Sequence, residues 1–145
     1  MKPISILKSY GPWLLVIVCA AWLLWMTMRP NPQIARELTP LTTPAANVGI
    51  SYYWLISIAG NIVVFMPLGA GLTLALRRIS RPWLWAILGG TLFSLTIELL
   101  QMTRASRISA PDDVALNALG TALGSIIIWQ IYLFFARRPQ GAREK

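Results

Sequence analysis

Hydrophobic and polar positions alternate along this chain in long blocks. Four apolar blocks run from about Gly11 to Met28, Tyr52 to Leu76, Trp83 to Met102 and Val114 to Ala136. Polar or basic residues close each one: Lys8 and Arg29 around the first, Arg77-Arg78 after the second, Arg81-Pro82 before the third and Arg137-Arg138 after the fourth. At 1.5 Å per residue each block covers roughly 30 Å of hydrocarbon. Backbone polar groups have no water to bond in lipid, so blocks of this length are predicted to be helices despite their many β-branched residues. The pattern therefore predicts an all-α integral membrane four-helix bundle in one domain, residues 1–145.

Composition narrows the chemistry. Of 145 residues 56% are hydrophobic, 13 are basic, 5 are acidic and none is histidine. A soluble domain is nearer a quarter charged. Without histidine the commonest general base and metal ligand is missing, and the lone Cys19 can build neither an internal disulfide nor a thiolate zinc site. No metal and no cofactor is expected. A net charge of +8 would suit nucleic acid, but the basic residues flank apolar runs and so point to a membrane and away from nucleic acid. The first block follows Lys2 and Lys8 as a secretory signal would. Its length, the absence of a clear small-x-small site before Arg29, and Val18 ahead of Cys19 favour a retained anchor.

Basic residues also set an expected orientation. Lys2, Lys8, Arg77, Arg78, Arg81, Arg137, Arg138, Arg143 and Lys145 fall on one side, nine in all, and Arg29, Arg36, Arg104 and Arg107 on the other, four. The positive-inside rule then places both termini in the cytoplasm, N-in/C-in. Tyr10, Trp13, Trp25, Tyr52, Trp54, Trp83, Trp85, Trp129 and Tyr132 lie near span ends, where interfacial rings belong. The outer segment 29–51 carries Pro30, Pro32, Pro40 and Pro44, which prevent a long helix. A solvated connector is the simpler reading and a binding lid the alternative. The tail 137–145 is short, charged and expected to be disordered.

Polar residues inside the spans are the candidate chemistry. Glu98 is the only ionisable side chain within a block. Thr91, Ser94, Glu98 and Gln101 follow at three, four and three, one helical face. A buried charge in a membrane is costly and usually faces protein or water, so Glu98 with Gln101 reads as functional, whereas Thr91 and Ser94 alone would read as packing. In helix four, Asn117, Gly120 and Gly124 form a matching face, and the two glycines are expected to let helices three and four approach as an antiparallel pair. Asn61 in helix two is either interhelical glue or the floor of a pocket, and Pro67 tends to kink its helix. Asp112 or Asp113, just before Val114, can cap helix four. Arg104 and Arg107 can pair with these acids or hold a phosphate.

The ordered set Asn61-x3-Phe65-Met66-Pro67-Leu68-Gly69, Ser94-x3-Glu98-x2-Gln101 and Arg107-x5-Asp113-Val114-x2-Asn117-x2-Gly120-x3-Gly124 resembles the VanZ-like family. Members are small bacterial membrane proteins, and the founding one is associated with low-level resistance to the glycopeptide teicoplanin. The resemblance implies an envelope protein of the bacterial inner membrane. Many members carry a further acid between the equivalents of Arg107 and Asp113, whereas here Ile108-Ser109-Ala110-Pro111-Asp112 stands there. Two functions compete. In one, a non-enzymatic protein binds a lipid or lipid-linked precursor through an outward-facing pocket of Asn61, Glu98, Gln101, Arg104, Arg107, Asp112, Asp113 and Asn117. In the other, an intramembrane hydrolase or transferase uses Glu98 as general base and Asp113 as an acid or metal ligand. Proton coupling in a transporter also fits a lone intramembrane acid, with homo-oligomerisation to enlarge the pathway. The orientation has a direct test: a cysteine placed at Arg36 or Arg107 should label from outside intact cells and one at Arg78 should not. Outside labelling of Arg78→Cys overturns the topology.

Overall fold

The computed structural model describes residues 3–28, 52–103 and 111–137, and within them the side chains from Tyr10, Ile58 and Asp112 onward. Four helices occupy these stretches: α1 Pro3–Thr27, α2 Tyr52–Ala75, α3 Pro82–Met102 and α4 Pro111–Ala136. All four are long and apolar enough to cross a membrane. The outer segment 29–51, the connection holding Arg104 and Arg107, and the tail from 138 lie outside the described residues.

Helix starts follow proline chemistry. α1, α3 and α4 each begin on a proline, which loses nothing at a position whose N–H has no intrahelical partner and whose φ is already helical. This moves two expected boundaries. α1 starts at Pro3 and continues through Pro12, well before Gly11. α4 starts at Pro111, so Asp112 and Asp113 lie in its first turn and neither is the cap ahead of it. There the carboxylates still oppose the positive end of the helix dipole. The short turn between α2 and α3 is held by Arg77, whose Nη1 donates to the Leu74 carbonyl at 2.7 Å, and by Ile79 N–H to Leu76 O at 3.0 Å. It ends in Arg81 at φ 52°, ψ 56°. A left-handed conformation at a residue with a Cβ costs about 1–2 kcal/mol.

α2 is the central helix, packed against each of the others and most extensively against α4. Its two sides are built differently. Toward α1 and α3 lies an apolar core of Leu23, Phe65, Leu68 and Ile97, with Val16, Cys19, Ala20, Leu24, Val64, Leu72 and Phe93 around it. Phe65 and Phe93 place their ring centroids 6.5 Å apart. α4 contributes nothing to that core. Its buried described side chains are Asn117, Gly120, Thr121, Gly124 and Ser125, all glycine or polar.

The α2–α4 seam is a backbone contact. A Cβ on Gly120 would collide with the Ile62 carbonyl, one on Gly124 with the Met66 carbonyl, and one on Gly69 with the Thr121 carbonyl. The seam is reciprocal, each helix supplying glycine where the other supplies carbonyl. Numbers rise together along both helices, so α2 and α4 run parallel. The helix-four glycines thus face α2, which corrects the expected pairing with helix three. Adjacent spans in sequence need not share the closest contact, because the two intervening reversals bring α2 and α4 side by side in the same direction. α3 meets α4 antiparallel one face over, where Gly90 abuts the Thr121 side chain.

Gly124→Ala should therefore force the seam apart at an overpacking cost of about 1–3 kcal/mol. Gly60→Ala, with nothing within 4 Å of the added carbon, should hold or raise stability by up to about 1 kcal/mol of helix propensity. Melting temperatures in one detergent compare the two, and equal values would contradict the close contact.

Candidate functional site at one end of the bundle

Where α1 and α3 finish and α2 and α4 begin, polar side chains gather; this is the polar end. α3 brings the acid. Its buried residues are Pro82, Ala86, Gly90, Ser94, Ile97, Glu98 and Gln101, a stripe of steps of four that widens at its last turn. Glu98 is 5% exposed, turned into the bundle and away from lipid. Thr91, expected on this face, lies off the stripe, and its hydroxyl donates to the Ile87 carbonyl of its own helix at 2.8 Å. That bond satisfies the hydroxyl without any neighbour.

Hydrogen bonds tie the helices together here. Asn61 Nδ2 donates to Asp113 Oδ1 at 2.8 Å, joining α2 to α4. An amide on a carboxylate is a charge-assisted bond, among the stronger kinds. Asn117 Nδ2 donates to Ser94 Oγ at 2.8 Å, joining α4 to α3 inside the bundle. Gln101 Nε2 donates to the Thr27 carbonyl at 3.0 Å, joining α3 to α1. Thr27 closes α1, so its carbonyl belongs to the last turn, where intrahelical donors run out. Gln101 supplies one.

The expected site residues therefore separate by role. Asn61 and Asp113 are half-buried and bound to each other, and Asp112 is exposed. Asn61 is level with the first turn of α4 and is not a deep floor, because α2 begins nine residues earlier, about 14 Å at helical rise, and so overhangs α4. Gln101, 8% exposed, is committed to α1. Asn117, 7% exposed, reaches Ser94, one turn deeper than Glu98. Arg104 and Arg107 lie outside the described residues. Gly120 and Gly124 serve the α2 seam.

Below Asn117 the polar face of α4 continues through residues that sequence reading missed. Thr121 donates to the Asn117 carbonyl at 2.9 Å, and Ser125 donates across to the Gly69 carbonyl of α2 at 3.1 Å. The signal was present as polar residues at strict steps of four: Asn117, Thr121 and Ser125. Thr73, fully buried on α2, is a further one. Among the described residues, Asn117 Oδ1 and Thr73 Oγ1 are buried side-chain oxygens with no hydrogen-bond partner. An unfilled buried polar atom costs about 1–3 kcal/mol. Asn117 thus holds an open acceptor beside Ser94, one turn of α3 from Glu98.

The chain matches the VanZ/LLP1 family over residues 13–135, which bears out the resemblance carried by Asn61 to Gly124 with the flanking helices. No curated protein and no solved structure matches it. The Asn61–Asp113 bond can be weighed by a double-mutant cycle. Asn61→Ala and Asp113→Ala, alone and together, should show a coupling of about 1–3 kcal/mol in unfolding. Additive effects would mean that the pair contributes nothing to the bundle.

Proposed function

This chain belongs to the VanZ/LLP1 family, and from that premise we propose that it binds a lipid or lipid-linked envelope precursor at the polar end of its bundle. In this reading the protein is a multi-pass protein of the bacterial inner membrane, with the polar end facing outward. The observation that carries the reading is Glu98, almost fully buried within an apolar span, one turn from an asparagine whose acceptor is unfilled. A carboxylate retained in a membrane span against its cost of about 2.5–3.5 kcal/mol at a helix centre argues for use beyond packing.

The hydrogen bonds refine the division of labour. Asn61 is occupied by Asp113 and Gln101 by Thr27, so they brace the walls, fixing α4 to α2 and α3 to α1. In this reading Glu98 and Asn117 meet the headgroup, together with Arg104 and Arg107 of the connection that follows α3. The arginines would meet a headgroup phosphate, and the acids would orient them. Asn117 would accept from a hydroxyl or amine of the headgroup. Glu98→Gln keeps the shape and removes the charge.

Native mass spectrometry of gently extracted protein should find a co-purifying lipid. Glu98→Gln and Arg107→Ala should each lower its occupancy, by about tenfold for the loss of one charged hydrogen bond of 1.5 kcal/mol or so. Unchanged occupancy in both variants would reduce the polar end to helix glue. A bound lipid recovered with an altered mass would move the assignment to the hydrolase or transferase.

A further inference from the structure

The opposite end of the bundle holds a second constellation, and the register between helices shows its shape. Ser94 stands opposite Asn117, and Gly90 opposite Thr121, four residues down α3 for four up α4. Carried eight residues further, that register sets Pro82, the first residue of α3, opposite Trp129. α4 then continues for seven residues to Ala136, about 10 Å beyond that level. The overhang is apolar and outward-facing: Ile131, Tyr132, Phe134 and Phe135 are all exposed, the two phenylalanines at 59% and 60%. On the other flank Gly71 of α2 packs on Leu15 and Val16 of α1. The end of α2 at Ala75 therefore stands about one turn further along, near Gly11 and Pro12, and α1 extends back from there to Pro3. The turn joining α2 to α3 is thus recessed between two longer helices.

That recessed turn carries Arg77, Arg78 and Arg81 within five residues. Arg77 is fixed by its bond to the Leu74 carbonyl. Arg78 and Arg81 are exposed, and no hydrogen bond or ion pair within the described protein engages their side chains. Arg81 holds the left-handed conformation just ahead of Pro82, a backbone state of the kind that concentrates where a side chain must be aimed. Trp85 is exposed one turn into α3, and Trp129 stacks on Tyr132 with ring centroids 5.3 Å apart. Aromatic rings of this kind sit at headgroup depth. The turn therefore sets three arginines close to that level, bordered by apolar helix that keeps acyl chains close.

We infer that this recessed turn is a binding site for the phosphate of an anionic phospholipid, separate from the polar end. Guanidinium forks match phosphate oxygens, and basic clusters at the membrane ends of helices are suited to anionic headgroups. The exposed Phe134 and Phe135 would lie along the acyl chains of the same lipid. A freely diffusing phosphate would gain nothing from that apolar flank, which is why the assignment is to a lipid.

The test uses the full chain in phosphatidylcholine nanodiscs doped with phosphatidylglycerol, with lipids retained after ejection counted by native mass spectrometry. The parent should retain phosphatidylglycerol over phosphatidylcholine, and added sodium chloride during exchange should weaken that preference. The double variant Arg78→Gln/Arg81→Gln should lose it by about thirty-fold, roughly a factor of five per arginine. Arg137→Gln, at the far tip of the overhang, should stay within about twofold of the parent. Equal retention of the two lipids by the parent overturns the site, as does a double variant that matches the parent. A loss in Arg137→Gln as large as in the double variant reduces it to general basic charge. Inorganic phosphate that displaces the phosphatidylglycerol overturns the lipid assignment. If the double variant does not fold, Arg78→Gln alone and the salt dependence of the parent carry the same decision.

Discussion

The bundle depends on the backbone contact between α2 and α4. Lipid tails are as apolar as leucine, so burying apolar surface gives little drive for helices to associate in a membrane. Close approach, dispersion and hydrogen bonds must supply it. Gly69, Gly120 and Gly124 leave no room for a side chain against the opposing carbonyls, and at that separation Ser125 can reach the Gly69 carbonyl. The same approach sets the height of α4 against α2, and hence brings Asp113 to Asn61. Were the helices spaced by leucines, at an ordinary interaxial distance of 8–10 Å, short side chains such as serine and asparagine would span the gap poorly. The polar end is thus a product of the glycine seam.

The two flanks of α2 divide the work of holding the fold. Leu23, Phe65, Leu68 and Ile97 make an adaptable apolar contact that positions α1. The α4 side is made of glycine, hydroxyls and amides and has few alternative packings. Specific polar bonds therefore concentrate on the helix whose position matters most to Glu98 and Asn117. Gln101 joins the last carbonyl of α1 to the polar end.

Much of this was readable from the chain, for identifiable reasons. The four spans stand out because lipid demands long uninterrupted apolar runs, and the prolines at 82 and 111 mark helix starts by the chemistry of a missing N–H. Glu98 was readable because a lone carboxylate in a span is expensive. The partner of Gly120 and Gly124 was not, since a small residue reports close approach without naming the neighbour. In sequence Ser125 looks like Thr91, Thr96 and Thr121, whose hydroxyls bond to their own helix. Only the register decides which hydroxyl crosses to another helix. The commitment of Asn61 to Asp113 likewise depends on how far α2 overhangs α4, a quantity no local pattern contains.

The order of the helices along the chain gives the seam a consequence for biogenesis. Synthesis delivers α2, then α3, and only then α4. Until α4 enters, the Ile62 and Met66 carbonyls lack their closest cover and the Asn61 amide lacks its carboxylate, within a helix already in the bilayer. Nothing downstream of α4 is needed to complete the contact, and nothing upstream can replace it. Closure of the bundle therefore waits for α4 to enter the membrane. A product stopped before Asp113 would present to the membrane quality-control machinery the Asn61 amide and the Ile62 and Met66 carbonyls that α4 otherwise covers.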